Sequence, residues 1–335
     1  MNKYKNQPLI SYIITIFNKE KYLKHVIQAV LSQMHDFKFE IILVNDGSTD
    51  KSLKILESFA TKDENIFLFN QVNKGPPIAC NLGLKHARGR FIKFVDADDI
   101  LVPNATSNLL NPFLSDNNMP VLTFSRNIKT YKKLDNSLKE FYKNNNLSFF
   151  QDKKNDYVFY KNFLDKSLHV SNMNLSCTLF EKKTILSFGG CNENIFCQDY
   201  YVELMMSSLG PFIESKNLIF YSPFADENRV TQNESQILHD LNYALEEFFL
   251  ENKKLSQSYA RNSLKRAASR QLNYIKRYSW KELTFEVLFL YLLASLKIIR
   301  INRKNFSKTR LAFRNIKFPS EKRVKPIIVE QYSKL

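Results

Sequence analysis

Three stretches of the chain decide its fold: LISYIITIF at residues 9–17, FEIILV at residues 39–44 and RFIKFV at residues 90–95. Each is an apolar run rich in β-branched residues, which is typical of a strand buried on both faces of a sheet. A shorter run of this kind occupies residues 66–69. Between the runs, apolar residues recur at helical spacing. The helices are predicted near residues 19–33, 50–60 and 78–87. Strands that alternate with helices predict the α/β class, with a mostly parallel central sheet flanked by helices.

The pattern is less regular beyond residue 100. Residues 127–169 are rich in Lys, Asn and Asp with scattered aromatic residues, and we expect an insertion packed over the sheet. The sequence then predicts a strand at 176–180, helices at 181–188 and 199–208, and mostly helix from 235 to 301.

Positive charge is concentrated at the C-terminal end. The 335 residues contain 49 Lys and Arg and 33 Asp and Glu, a net charge of +16. Residues 252–335 alone hold 21 basic and 4 acidic residues, a balance of +17, so the remainder is almost neutral. This asymmetry predicts a polyanionic partner for the C-terminal region, either anionic lipid head groups or nucleic acid.

The composition excludes several classes of protein. A hydrophobic fraction of 44% excludes global disorder, and 7 Gly with 10 Pro exclude a collagen-like chain. The four cysteines lack the spacing of a zinc site or a disulfide scaffold, so we expect reduced thiols in a cytoplasmic protein. The run at 9–17 lacks a small-residue cleavage site and is expected to be a strand, not a signal peptide.

Residues 283–299 form an apolar segment near the basic end. Its longest uncharged stretch, residues 287–296, has ten residues. That length gives ~15 Å of helix against a ~30 Å hydrocarbon core, so we expect no membrane span. Two interpretations stay open, a buried core helix and a helix that lies in the membrane interface.

Acidic residues follow the strand predicted at 90–95. Asp96, Asp98 and Asp99 lie within four positions, at the strand end where ligands bind in open parallel sheets. Three carboxylates so close repel one another unless a positive charge lies among them. A divalent cation such as Mg²⁺ or Mn²⁺ would supply that charge and would also bind substrate phosphates. The structural alternative is an Asp-rich turn that caps the next helix.

The order of three motifs resembles a known family. SYIITIFNKEKYL at 11–23, FEIILVNDGSTDKSL at 39–53 and NKGPPIACNLGLKHARGRFIKFVDADD at 73–99 are similar to the pattern of glycosyltransferase family 2. The resemblance is close over residues 9–99 and resumes at GGCNE, residues 189–193, and QDY, residues 198–200. It implies the GT-A fold, a Rossmann-like α/β fold of inverting nucleotide-diphospho-sugar transferases, of the type that builds bacterial cell-surface polysaccharide.

The resemblance also implies residue roles on the donor side. Thr15, Phe17 and Asp46 match positions that hold the nucleotide base and ribose, and Glu20 lines the same pocket. Because Cys80 stands where the family often has Arg, contacts to base or phosphate are expected to shift to Lys74.

The remaining roles that the resemblance implies are metal binding and proton transfer. Asp98 matches the second acid of the DXD motif, which carries Mn²⁺ or Mg²⁺ and touches the donor's ribose and diphosphate. Asp96 flanks it on the nucleotide-sugar side, and Asp99 is expected to join Asp98 at the metal. Asp199 matches the catalytic base, which takes the proton of the acceptor hydroxyl during attack.

At two further positions the sequence differs from the family pattern in charge. Asn45 stands where many family members have Asp, and Gln198 replaces the usual Glu before the base, which removes a charge that would raise the pKa of Asp199. These departures bear on the expected donor preference more than on the expected activity.

The resemblance and the charge pattern together predict an organisation for the chain. Residues 1–230 are predicted to be a GT-A catalytic domain. Within it, residues 1–100 bind the nucleotide sugar, and residues 101–230, with an insertion near 127–170, face the acceptor. Residues 231–335 are predicted to be a basic helical extension. The predicted reaction is transfer of a hexosyl group from a nucleotide-diphospho-sugar, in the first place a UDP-sugar, to a glycan or lipid-linked acceptor.

The expected location is the cytoplasm, peripherally at the inner face of the membrane, where the basic region contacts anionic lipid. Three alternatives stay open: a catalytically inactive glycan-binding relative, a nucleotidyltransferase and a basic nucleic-acid-binding protein. Residues 15–22 contain no Gly for a phosphate loop, and the aromatic residues near the C-terminus form no RNA-binding motif, so no nucleic-acid partner is expected.

Overall fold

The computed structural model describes residues 8–34, 37–115, 119–145, 156–224, 233–278 and 285–313. The strands are β1 Ile10–Ile16, β2 Phe39–Asp46, β3 Ile66–Gln71, β4 Phe91–Asp96, β5 Ile100–Leu101, β6 Leu122–Phe124, β7 Ile128–Tyr131, β8 Tyr157–Tyr160, β9 Thr178–Glu181, β10 Phe212–Ser215 and β11 Phe220–Pro223. The helices are α1 Glu20–Leu31, α2 Ser52–Ala60, α3 Pro76–His86, α4 Ala105–Leu114, α5 Leu138–Asn144, α6 Leu164–His169, α7 Lys182–Leu186, α8 Asp199–Ser207, α9 Glu234–Glu251, α10 Gln257–Tyr278, α11 Phe285–Ser295 and α12 Arg303–Ser307.

Eight strands form the central sheet, in the order β3-β2-β1-β4-β9-β6-β10-β8. The first four are parallel and carry the nearly continuous apolar runs. β9 is antiparallel to both of its neighbours, and β8 is an antiparallel edge strand beside β10. Helices flank this sheet, so the predicted α/β class with a mostly parallel core is confirmed.

The core follows directly from the apolar patterns. Six of the seven residues of β1 are buried, and α1 buries one face that includes Leu23, Val26 and Ile27 against the sheet. Burying a side chain of this size contributes about 1.5–3 kcal/mol before the entropy of ordering is subtracted.

A small second sheet has the order β5-β11-β7. The segment at 127–169 contributes β7 to this sheet and the edge strand β8 to the central sheet, with α5 and α6 beside them. Its residues 146–155 lie outside the described part of the chain.

The C-terminal helices pack on the sheet domain through α8. The Asp240 carboxylate in α9 accepts a hydrogen bond of 2.8 Å from the Cys197 backbone N–H, two residues before α8 begins. The Tyr201 hydroxyl in α8 donates to Glu251 at the end of α9. Within the helical region, Arg310 forms a 2.6 Å ion pair with the buried Glu246. Through the residues that the structure describes, no helix combines the length and the apolar character needed to cross a membrane.

Candidate active site at the carboxyl ends of the parallel strands

Register brings several predicted site residues to one edge of the sheet. Thr15 is paired with Val44 on β2 and with Asp96 on β4, and Asp46 at the end of β2 is paired with Gln71 on β3. Because parallel strands end at the same edge, the residues that follow them meet there.

Asp46 holds the loop that follows β3. Its buried carboxylate accepts hydrogen bonds from the Gln71 side chain at 2.7 Å and from the backbone N–H groups of Lys74 and Gly75 at 2.8 and 2.9 Å. Burial raises the pKa of Asp46, and these bonds and the Lys74 ammonium work against that rise. Lys74 and Asp46 therefore lie together, and the Asp46 carboxylate orders the loop that carries Lys74.

Gly47 makes the turn after β2 possible. Its φ of +72° lies in the left-handed region, and a Cβ at this position would lie 2.5 Å from the Asn73 backbone nitrogen. Any larger residue would displace the loop that Asp46 holds.

Phe17 and Glu20, which follow β1, are placed differently in the site. Phe17, just after β1, is 46% exposed, so its ring is accessible to a planar ligand. Glu20 instead binds the neighbouring loop: its carboxylate accepts from the Lys51 backbone N–H at 2.7 Å, and its own N–H donates to Asp50. In this structure the Glu20 carboxylate fixes the start of α1 against the start of α2.

The predicted acidic turn is present after β4. Asp98 is nearly buried, and its carboxylate forms an ion pair of 2.7 Å with the Lys19 ammonium. Asp96 is exposed to solvent by surface area. Desolvation by the surrounding protein, followed by the negative charge of Asp98, still raises the pKa of Asp96 to about 6. Asp99 points inward, where burial and then the charges of Asp96 and Asp98 raise its pKa well above the ordinary value.

Two lysines supply positive charge to this turn, and the sequence analysis named neither. Lys19 approaches from the start of α1. Lys93 lies fully buried in β4, where its ammonium donates to the backbone carbonyls of Phe94 and Ser176. Burial lowers the pKa of Lys93 to about 8, although the charges of Asp99 and Asp96 partly oppose this. Lys93 lies between the apolar residues Ile92 and Phe94 of a predicted buried strand. This position was the feature of the sequence that indicated burial of its side chain.

Asp199 begins α8 and lies beside the acidic turn. Burial, followed by the negative charge of Asp96, raises the pKa of Asp199 to about 7, while the Leu175 backbone N–H donates to the carboxylate. Gln198, the preceding residue, donates to the Cys80 sulfur at 3.5 Å and adds no charge. A carboxyl group with a pKa near neutrality is suited to accept a proton at physiological pH.

A short turn at Leu175–Cys177 joins the two groups of acids. The Ser176 hydroxyl accepts a 2.7 Å hydrogen bond from the Asp96 backbone N–H, and its carbonyl accepts from Lys93. The same turn supplies the Leu175 N–H that binds Asp199. The acidic turn and the start of α8 are thus held by one three-residue element.

Asn81 connects the donor half to the segment at 189–193. Its side chain donates to the Cys191 carbonyl at 2.9 Å and accepts from the Cys191 N–H at 2.8 Å. It also donates to Glu193 at 3.0 Å. A Cβ at Gly190, whose φ is +91°, would lie 2.6 Å from the Asn81 oxygen, so glycine is required for this close approach.

The residues at the acidic turn fit a metal that is shared with a ligand. In the described ranges, no group of three or more His, Cys, Asp or Glu side chains could hold a metal by itself. Mg²⁺ and similar cations commonly use one or two carboxylates and take their other ligands from water and substrate phosphates. Asp98 supplies one such carboxylate, and the buried Asp99 Oδ2 has no hydrogen-bond partner in the described structure.

Comparison with known proteins agrees with this geometry. Residues 11–169 match the profile described as "Glycosyl transferase family 2". A Haemophilus influenzae protein named as an uncharacterized glycosyltransferase is 40% identical over 112 residues, which cover 33% of this chain and 44% of that protein. The minor teichoic acid biosynthesis protein GgaA of Bacillus subtilis is 41% identical over 110 residues, covering 31% of this chain and 25% of that protein. The chain therefore spans less than half the length of these curated relatives.

Two solved structures share the fold. S. aureus TarS 1-349, in complex with UDP-GlcNAc, has a TM-score of 0.59 at 17% identity, and the match covers 91% of each chain. The mannosyltransferase PcManGT from Pyrobaculum calidifontis, in complex with GDP-Man and Mn²⁺, has a TM-score of 0.52 at 14% identity, covering 92% of this chain and 88% of that one. At these identities the likeness concerns the fold alone.

The fold is the α/β, GT-A-like fold of these structural neighbours. Residues 11–169 match the model of glycosyl transferase family 2, so the resemblance predicted from the three motifs is confirmed over this part of the chain.

Proposed function

We propose that the protein is an inverting, metal-dependent glycosyltransferase that moves a hexosyl group from a nucleotide-diphospho-sugar to a hydroxyl group of a glycan or lipid-linked acceptor. One observation carries the proposal: Asp199, with a pKa of about 7, lies beside the acidic turn of Asp96 and Asp98, and that turn falls within the residues that match family 2. This arrangement supports a proton acceptor next to carboxylates that would suit a metal and a diphosphate.

The donor would bind across the carboxyl ends of β1, β2 and β4. Phe17 offers an exposed ring for the base, and Thr15 lies between Asp96 and Val44 in register. Lys74, on the loop that Asp46 orders, supplies positive charge at the same edge. A UDP-sugar is our first choice of donor.

The chemistry then divides between two groups of residues. When bound by Asp98 and Asp99, a divalent metal supplies positive charge that stabilises the leaving diphosphate. Asp199 accepts the proton of the attacking hydroxyl, which is a poor nucleophile at neutral pH. A single base on the face opposite the leaving group gives one displacement and inversion at the sugar carbon.

For the acceptor, we propose a cell-surface polysaccharide or its lipid-linked precursor. Support comes from the name of GgaA, a minor teichoic acid biosynthesis protein that is 41% identical to this chain over 110 residues. We place the enzyme in the cytoplasm, at the inner face of the membrane, because residues 252–335 carry a balance of +17 that would attract anionic lipid.

A turnover assay tests the proposal. Release of nucleoside diphosphate from a panel of UDP- and GDP-sugars is measured with Mn²⁺ for the wild type and for Asp98→Ala. We expect turnover with at least one donor and its loss in the variant. Absence of turnover in both proteins, with donor binding retained in the wild type, would instead indicate an inactive glycan-binding relative.

A further inference from the structure

The helix α11 is apolar on its solvent side as well as on its protein side. Phe285, Leu288, Phe289 and Leu292 are 78%, 42%, 46% and 51% exposed, and Leu296, just beyond the helix, is 58% exposed. Their spacing of three and four residues puts them on one face of the helix. We call these five residues the apolar stripe.

The opposite face of α11 packs against the protein core. Leu290 and Ala294 are buried in the same core as the apolar residues of α10, such as Leu264. The helix is therefore anchored to the protein, and the apolar stripe is not the face that holds it there. Monomeric soluble proteins rarely expose a contiguous patch of large apolar side chains unless it binds something.

Basic residues adjoin the stripe. Lys297 and Arg300, just after α11, and Lys304 in α12 are exposed, whereas the acidic residue in this segment is Glu286. Nearby Arg303 and Arg310 are engaged by acidic residues of α9. The surface thus combines exposed large apolar side chains with three exposed cations and one acid, Glu286.

We propose that α11 lies in the interface of an anionic lipid bilayer, with the apolar stripe inserted among the lipid chains and the adjoining cations at the head groups. An apolar face bordered by Lys and Arg is the composition of helices that lie in this plane. This inference rests on the proposed function, because it supplies the surface by which the transferase would reach a lipid-linked acceptor. It also predicts binding that charge alone does not provide.

Vesicle flotation tests the proposal with the full chain. Vesicles of phosphatidylglycerol and phosphatidylcholine are compared with vesicles of phosphatidylcholine alone. The double variant Leu288→Asp/Leu292→Asp removes the centre of the stripe. Leu114→Asp is the control, since Leu114 is 57% exposed on α4, a helix that contacts the central sheet. We expect the double variant to lower partitioning about 100-fold, about tenfold per Leu, and the control to leave it unchanged.

A second arm separates insertion from simple charge attraction. Replacing Lys297, Arg300 and Lys304 by Gln is expected to lower partitioning about fivefold for each cation lost. In 0.5 M NaCl the wild type should retain more binding than the double variant, because screening weakens attraction between charges and leaves insertion. Equal binding of the wild type and the double variant at low and high salt would overturn the proposal.

Two further measurements cover the other outcomes. If the double variant fails to fold, Phe289→Trp provides the test: its emission should shift to the blue with anionic vesicles, and no shift overturns insertion. If the wild type sediments as a dimer that the double variant dissociates, the stripe is instead an interface between copies. Donor turnover without vesicles should be equal in the wild type and the stripe variants, so failure of lipid binding is distinguishable from failure of the transferase.

Discussion

Replacing Asp199 by Asn should have opposite effects on catalysis and on stability. The side chain keeps its shape and its contact with the Leu175 N–H but loses its charge and its ability to accept a proton. We expect turnover to fall by about 10²–10⁴-fold, the range attributed to a positioned general base. We also expect the folded protein to become more stable at pH 8, since the variant no longer holds a charge that burial disfavours.

The sign of the stability effect follows from the pKa of Asp199. Burial and the charge of Asp96 raise this pKa from 3.8 to about 7, so between these values the folded protein binds a proton that the unfolded chain does not. Asp199 therefore lowers stability progressively as pH rises from about 4 to about 7, and the loss is complete above 7.

The magnitude has an upper limit of about 4 kcal/mol, from about 3 pKa units at 1.36 kcal/mol each. Because Asp199 is only partly buried by surface area, solvent screening reduces this, and we expect a gain of about 1–2 kcal/mol at pH 8. At pH 5, closer to 3.8, the gain should fall to about a third of that value.

Urea denaturation at pH 8 and pH 5, without metal or nucleotide, measures the stability difference. Asn194→Ala is a suitable control, because Asn194 is exposed in the loop before α8. Turnover of the wild type should rise as pH increases through about 7, where Asp199 loses its proton. If the variant is equally destabilised at both pH values, or keeps wild-type turnover, Asp199 is not the buried base that we describe.

Three other predictions concern the scaffold of the site. Lys19→Met removes the cation that is 2.7 Å from Asp98, so calorimetry in the presence of UDP or GDP should show Mn²⁺ binding tightened about tenfold; unchanged affinity would mean that the ion pair does not compete with the metal. Asn81→Ala breaks the hydrogen bonds with Cys191 and should lower the free energy of unfolding, measured by urea denaturation, by about 1–3 kcal/mol. A loss below about 0.5 kcal/mol would contradict the stabilising role of these hydrogen bonds. Gly47→Ala forces a Cβ to 2.5 Å from the Asn73 nitrogen and should lower both thermal stability and nucleotide affinity, and a wild-type melting temperature would refute the required geometry.

The parallel half of the sheet was predictable because its signal is local. The apolar runs at 9–17, 39–44 and 90–95 became β1, β2 and β4 with bounds that differ by at most two residues. Parallel strands place their carboxyl ends together, so the location of Thr15 and Asp96 at one edge of the sheet followed from the strand assignment, whereas the pairing of β1 with β4 is seen only in the structure.

Contacts that depend on distant parts of the chain were not predictable in this way. Asn81 and Cys191 are 110 positions apart, and no periodic pattern in either segment indicates the other. The insertion of β9, antiparallel, between β4 and β6 brings the Leu175–Cys177 turn to the acidic site, but its own sequence indicates only a strand. Tertiary packing decides such placements, and local propensity carries little information about them.

The reason that Lys93 can be buried in the site was likewise not predictable from the local sequence. Lys93 lies at a position that period and apolar neighbours mark as interior, whereas the ordinary expectation for Lys is exposure. Only the three-dimensional arrangement shows why it is tolerated: two carbonyls accept from its ammonium, and the acids of the turn lie close by.

The most direct test of the account is calorimetric titration of Mn²⁺ into the protein in the presence of UDP and, separately, GDP. We predict that the wild type takes up the ion together with at least one of these nucleotides and that Asp98→Asn does not, while its melting temperature shows that it is folded. No uptake by the wild type with either nucleotide, or equal uptake by Asp98→Asn, would contradict the assignment of the turn after β4 as the site that binds the donor's diphosphate through a metal.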